Sequence, residues 1–323
     1  MDMLVEADGR LLPCAGGAVY NLTRALGLQG VGTLYLNPLS GDRFGQALKT
    51  ALHRAHVSLA HPYPVHMPTS LAIVGLDEAG KASYSFYRDG VADRQVSCQI
   101  LNAACSAHAT LQIVATGCLA LVPDDTTHYL PWLQAQRAAG KLVVVDANLR
   151  PAIVPDMAAY RQSVMAALRH AHVIKVSDDD LVTLGYGGNS PTNAACQLLA
   201  DTSAHTLALT LGAQGAVLMT RNGQLWHAGE TTPVNVADTV GAGDCFLAGM
   251  LVALLERPLT LSAILNNGTT LAESDVHHVL QTAVASATLC VTQTGCAPPT
   301  RTQVANRVGH LPATVVAQKV PDM

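Results

Sequence analysis

Aromatic side chains are scarce in this chain, with three Phe, two Trp and eight Tyr among 323 residues. Charge is scarce too, at 13% of residues, and the balance of 19 Lys and Arg against 23 Asp and Glu leaves a formal charge of −4 without any block of one sign. A nucleic-acid surface needs a basic stripe, so no nucleic-acid partner is expected. No apolar run reaches the roughly 18 residues of a membrane-spanning helix, and no membrane association is expected. The first residues carry Asp2, Glu6 and Asp8 where a signal peptide would be basic. The eight cysteines include no C-x-x-C pair and read as buried thiols instead of a disulfide framework. The expected compartment is therefore the cytoplasm. The P-loop, the G-x-G-x-x-G fingerprint, H-E-x-x-H and G-x-S-x-G are all missing, which counts against P-loop NTPases, the usual dinucleotide enzymes, zincins and α/β-hydrolases.

What the chain does have is a large apolar fraction, 49%, rich in Ala, Val, Leu and Gly. That suits helices packed on buried strands in one large α/β domain. Apolar runs at Gln112–Gly117, Lys141–Asp146, His172–Val176 and Thr206–Leu211 predict parallel strands covered on both faces. Helical stretches at Thr126–Ala139, Met157–His170 and Pro191–Leu199 lie between them, giving repeated β-α-β units and a doubly wound, mostly parallel sheet. Ala216–Thr220 and Gln224–His227, joined by Arg221-Asn222-Gly223, predict a hairpin at a sheet edge. Ser70–Leu76 and Ala82–Tyr87 flank the polar Asp77–Lys81 and predict a small antiparallel sheet, either a plain surface hairpin or a lid. Beyond Thr300 no clear signal remains. Pro298-Pro299 is expected to end the preceding helix, with a peripheral tail after it.

Five clusters carry chemistry. Asp238-Thr239-Val240-Gly241-Ala242-Gly243-Asp244 puts small residues before an apolar helix. N–H groups at a helix start suit the charge of a transferring phosphoryl group. A carboxylate would repel phosphate there, so Asp244 makes sense as the base for an attacking hydroxyl, or else as a simple helix cap. Gly16-Gly17-x-x-x-Asn21, leading into a helix at Leu22–Leu28, would let a polyhydroxylated ligand approach the backbone, although alone it reads as a turn. Asp146, Asn148 and Arg150 follow a strand end, where open α/β sheets bind ligands, and in an extended segment would share one face. Ser177-Asp178-Asp179-Asp180 is either an acidic helix start or part of a Mg²⁺ water network. Thr210-Leu211-Gly212-Ala213-Gln214-Gly215 is a glycine-bearing turn between strands. Their sum favours phosphoryl transfer to a hydroxyl.

This combination resembles the ribokinase-like, PfkB-type carbohydrate kinases from residue 2 to about 305. The Asp238–Asp244 segment followed by Ala248-Gly249 is similar to that family's C-terminal signature. Gly16-Gly17-x-x-x-Asn21 and Ser40-Gly41-Asp42-Arg43-Phe44-Gly45 are similar to its N-terminal one. Thr210-x-Gly212-x-x-Gly215 and Gly295-Cys296-Ala297-Pro298-Pro299 fall where the family has its nucleotide turn and C-terminal pocket. The resemblance implies Asp244 as base, with Gly241, Ala242 and Gly243 in the anion hole, whose Gly243 also borders ATP. It implies Asp2, Gly16, Gly17 and Asn21 at the sugar, and Thr210, Gly212 and Gly215 at the nucleotide. Ser177 and Asp180 replace the family's Asn-x-x-Glu, with Asp180 reaching Mg²⁺ through water. Asp238 is where the family helps hold a monovalent cation such as K⁺. Val19 and Tyr20 replace smaller residues, which would alter the sugar pocket. Asp146-x-Asn148-x-Arg150 and Tyr87-Arg88 look most like fructokinases and 2-keto-3-deoxygluconate kinases, with Arg88 and Arg150 meeting a sugar carboxylate or a phosphate.

The expected fold is thus a three-layer ribokinase-like α/β domain over residues 1–323, with a β lid from about 2–12 and 66–96. The exposed edges of such a lid admit a homodimer. The expected reaction converts ATP and a sugar into ADP and a sugar phosphate. A nucleoside kinase of the same family and a catalytically silent sugar-binding regulator are the alternatives. One core strand is expected to be missing before Asp2, which would leave Asp2 beside a free amine instead of on a fixed strand, with low stability and weak activity.

Overall fold

The computed structural model describes residues 1–6, 8–76, 82–188, 190–266 and 270–318; the polar turn expected at Asp77–Lys81 lies outside them. The strands are β1 (Asp2–Val5), β2 (Leu11–Cys14), β3 (Leu34–Tyr35), β4 (Ser58–Leu59), β5 (Leu71–Leu76), β6 (Ala82–Tyr87), β7 (Ile113–Gly117), β8 (Leu142–Asp146), β9 (Val173–Ser177), β10 (Thr206–Thr210), β11 (Ala216–Thr220), β12 (Leu225–Gly229) and β13 (Thr314–Gln318). The helices are α1 (Ala18–Leu28), α2 (Arg43–Arg54), α3 (Cys98–Ser106), α4 (Pro123–Ala138), α5 (Met157–Leu168), α6 (Asp178–Leu184), α7 (Pro191–Ala200), α8 (Ala242–Leu255), α9 (Pro258–Leu265), α10 (Glu273–Val291) and α11 (Arg301–His310).

The main sheet has the order β13-β12-β11-β10-β9-β8-β7. Strands β7 to β10 are parallel and β11 to β13 continue the sheet antiparallel. Alternate residues of the parallel strands enter two separate cores. Val143, Val145, Ile174 and Val176 pack with Trp132, Tyr160 and Leu198 of α4, α5 and α7. Leu142, Val144 and Val173 pack with Leu22, Phe246 and Leu280 of α1, α8 and α10. A strand buried on both faces gains nothing from polar alternation, which is why these strands read as unbroken apolar runs. α8 is buried almost all round, and it reaches α10 through Gly249, where an added Cβ would stand 2.6 Å from the Thr282 carbonyl. No single helix among the described residues is long and apolar enough to cross a membrane.

A second sheet, β2-β1-β5-β6, rests on a third apolar cluster containing Met1, Met3, Tyr20 and Tyr35. Strand β1 pairs antiparallel with β2 and parallel with β5. Asp2 therefore stands on a strand held from both sides, contrary to the expectation of an unanchored terminus.

Other expectations need correction. The first helix begins at Ala18, not Leu22. The hairpin of β11 and β12 is not the sheet edge, because β13 pairs with β12 along its other side. The stretch after Thr300 is structured: Thr300 and Gln303 form a capping box that starts α11. Helix α10 ends at Val291, well before Pro298-Pro299, so the proline pair sets the approach to α11 and does not stop α10.

Candidate active site

Both sheets open onto one cleft of about 1070 Å³. At its floor the chain turns at Gly241, whose φ of +79° is left-handed and therefore cheap for glycine. Helix α8 starts at once with Ala242, so Asp244 lies in its first turn and not ahead of the helix. First-turn N–H groups have no carbonyl partner inside their own helix. The Ala242 N–H instead donates to the Thr239 carbonyl at 3.2 Å. Within the turn expected to cradle phosphate, the Ala242 amide is thus already engaged.

Asp244 is only 6% exposed. Asn21 Nδ2 donates to its Oδ2 at 2.9 Å, bringing together two residues 223 apart in the chain. Asn21 sits one turn into α1, and its buried Oδ1 has no hydrogen-bond partner among the described residues. Burial pushes the Asp244 carboxyl above the usual carboxylate range, against the opposing pull of the Asn21 hydrogen bond, Lys175 and Arg150.

Lys175 escaped the sequence reading. It is a single cation in the apolar strand β9, 3% exposed, and its Nζ lies 3.1 Å from Asp146 Oδ1. A buried lysine is rare unless paired, so Lys175 between Ile174 and Val176 was the available signal. A Cβ on Gly243 would stand 2.9 Å from its Nζ, so the ammonium sits against the turn at the start of α8. Burial lowers its pKa, but Asp146, Asp180 and Asp244 together outweigh that and keep it raised.

The face-sharing expected of Asp146, Asn148 and Arg150 fails. Asn148 adopts φ +38°, which breaks the alternation. Asn148 and Arg150 line the cleft, while Asp146 turns inward to Lys175. The Arg150 guanidinium donates to the carbonyl of Leu149 at 2.9 Å. Arg88 also lines the cleft, and its guanidinium meets Asp125 at 2.7 Å, a carboxylate that Arg94 meets at the same distance. Asp2, Gly16 and Gly17 line the same region. A Cβ on Gly16 would stand 1.8 Å from Asp2 Oδ2, so only glycine fits beside that carboxylate.

Of the residues expected at the nucleotide, Ser177, Asp180, Thr210, Gly212 and Gly215 line the cleft. Gly212 and Gly215 take φ of +56° and +90°. Ser177 and Asp180 form the capping box of α6. The Asp180 oxygens accept from the Leu149 N–H at 2.7 Å and the Ser177 N–H at 2.8 Å. Asp178 and Asp179 line the cleft beside Asp180, and such a row of carboxylates suits Mg²⁺, which keeps several waters and takes one or two carboxylates. Asp238 is outside the cleft lining. It accepts from the N–H groups of Val240 at 3.0 Å and Gly295 at 2.7 Å, tying the turn to the loop after α10.

Residues 10–303 match the pfkB family carbohydrate kinases. The chain is 30% identical over 242 residues to a fructokinase of Rhizobium leguminosarum bv. trifolii, covering 75% of this chain and 72% of that protein. It is 27% identical to fructokinase-2 of Oryza sativa subsp. japonica over 98% of this chain and 87% of the relative. The structure of a fructokinase with bound ATP from Xylella fastidiosa superposes with a TM-score of 0.80 at 26% identity, covering 95% of each chain. An aminoimidazole riboside kinase from Salmonella enterica has the same fold, with a TM-score of 0.75 at 24% identity over 94% of this chain and 95% of that one. With its ribokinase-like sheet, its cleft and this match over most of its length, the chain belongs to the pfkB family of carbohydrate kinases.

Proposed function

We propose that this ATP-dependent sugar kinase phosphorylates fructose, with Asp244 as the base. The observation that carries the reading is the buried Asp244–Asn21 pair in the first turn of α8. Asn21 fixes the carboxylate through one end of its amide. Its other end, the unpartnered Oδ1, is an acceptor suited to a sugar hydroxyl.

In the reaction, Asp244 takes the proton of the attacking hydroxyl while the sugar oxygen bonds to the γ-phosphorus and the bond to the β-γ bridging oxygen breaks, releasing ADP. The N–H groups of Gly243 and Asp244, backed by the Lys175 ammonium, face the charge on the transferring group. Asp2 and Asn148 orient the sugar, and the turn from Thr210 to Gly215 borders the nucleotide. Mg²⁺ bound near Asp180 would supply charge neutralisation on the phosphates. Asp238, with its oxygens engaged by two amides, acts first as a loop tie and offers K⁺ only its remaining lone pairs. We further assign the lid to the β2-β1-β5-β6 sheet, with dimerisation through it, and place the enzyme in the cytoplasm.

The test is ATP turnover against fructose, 2-keto-3-deoxygluconate and ribonucleosides. Fructose is expected to give the highest kcat/KM. A preference for the keto-acid sugar or a nucleoside would overturn the fructose assignment, and no turnover with any acceptor would favour a sugar-binding regulator.

A further inference from the structure

Three sulfurs that no step of phosphoryl transfer uses lie directly behind the phosphate turn. The Sγ atoms of Cys245 in α8, Cys290 at the end of α10 and Cys296 in the loop before α11 all lie within 4.8 Å of one another. Cys245 and Cys290 are fully buried, Cys296 is partly so, and all three are free thiols. The cluster touches the turn at two points. A Cβ on Gly241 would stand 2.2 Å from Cys296 Sγ, and the Cys290 thiol donates to the Val240 carbonyl at 3.5 Å.

Trigonal coordination with metal–sulfur bonds of about 2.3 Å separates the sulfurs by roughly 4.0 Å, which falls inside the observed limit. A donor set made only of thiolates selects soft ions such as Cu(I) and Zn(II). Structural zinc is almost always four-coordinate. Among the described residues no imidazole or carboxylate completes the group, which favours three-coordinate Cu(I) over a structural zinc.

We propose that Cys245, Cys290 and Cys296 form a three-thiolate site for Cu(I) that is linked to the phosphate turn of the kinase. On binding, three S–Cu bonds form, three thiol protons pass to solvent, and no atom changes oxidation state. Metal binding replaces the Cys290 hydrogen bond to Val240 and leaves a net negative charge on the thiolates against the turn at Val240 and Gly241, so occupancy opposes phosphate binding.

The experiment adds Cu(I), supplied as its acetonitrile complex under argon, to the whole chain in competition with bathocuproine disulfonate. One Cu(I) per chain is expected, with thiolate-to-copper absorption in the near ultraviolet and weaker binding as pH falls. Cys290→Ser and Cys296→Ser, checked for folding by their melting transitions, should each lose about 100-fold or more in affinity, since outer-shell changes alone cost 10–100-fold. Cys14→Ser and Cys98→Ser should bind as the parent does. Undiminished binding by folded Cys290→Ser and Cys296→Ser, or tighter retention of Zn(II) than Cu(I), would overturn the proposal. Absorption reports on the site whether or not the fructose assignment holds. Kinase turnover should fall with occupancy and return with chelator, and turnover unaffected at full occupancy would refute the link to the turn.

Discussion

As the proposed base, Asp244 must be ionised in a place that disfavours charge, and Asn21, Lys175 and Arg150 each reduce that cost. Replacing it by Asn keeps the shape and a hydrogen-bond partner for Asn21 but removes the proton acceptor. Asp244→Asn should lower kcat by roughly 10²–10⁴-fold with little change in nucleotide affinity measured by calorimetry. Because burial raises its pKa, activity should be lost on acidification at a pH above the ordinary carboxylate value. A kcat/KM profile with its acid limb at the ordinary value would contradict this. Lys175 is the complementary case. Lys175→Met leaves Asp146 buried without its partner, and loss of one member of a buried pair typically costs about 3–5 kcal/mol. Denaturant titration should show that loss, and a variant as stable as the parent would show that Asp146 simply takes up a proton. The sequence displayed Lys175 openly, but its partner lies 29 residues away on the neighbouring strand, and only sheet register brings the two together. The alternation expected from Asp146 to Arg150 failed for a local reason, the left-handed Asn148, which no spacing rule reveals.

Elements were legible where burial is uniform. The parallel strands and the helices between them stand within a few residues of the sequence reading, because their apolar runs are set by packing on both faces. The C-terminal elements were harder. α11 did carry a signal, Thr300-x-x-Gln303, which is a capping box seated behind two prolines. β13 is exposed along most of its length, so it lacks the apolar pattern that marks an inner strand. The crossing of α8 over α10 was visible only as a glycine in an apolar helix. An added side chain at Gly249 meets the backbone of Thr282 and Ala283 and cannot be relieved by a rotamer change. Gly249→Val should cost about 1–3 kcal/mol, read as a lower melting temperature. An unchanged melt would mean the helices separate freely at that point.

At the scale of the molecule, the edge of the proposed lid is unusual. Leu11 and Leu12 are neighbours on β2, so their side chains leave opposite faces of the strand, yet they are 48% and 46% exposed. An edge strand that is apolar on both faces is a template for pairing. The double substitution Leu11→Lys, Leu12→Lys should shift the chain to monomers by light scattering without lowering its melting temperature. An equal mass for parent and variant would place any dimer elsewhere.

Asp180 has a further consequence. One of its oxygens holds Leu149, just past β8, and the other holds Ser177, at the end of β9. With sugar on the first loop and nucleotide on the second, as proposed, a crossbar of this kind should make the two binding events cooperative, because a sugar that settles the first loop would also settle the second. Linkage requires the effect to be mutual, so the factor by which sugar tightens ATP must equal the factor by which ATP tightens sugar. Asp180→Ala should bring both factors toward one, measured by calorimetric titration of each ligand with and without the other. If the factors survive that change, the coupling runs through the lid instead.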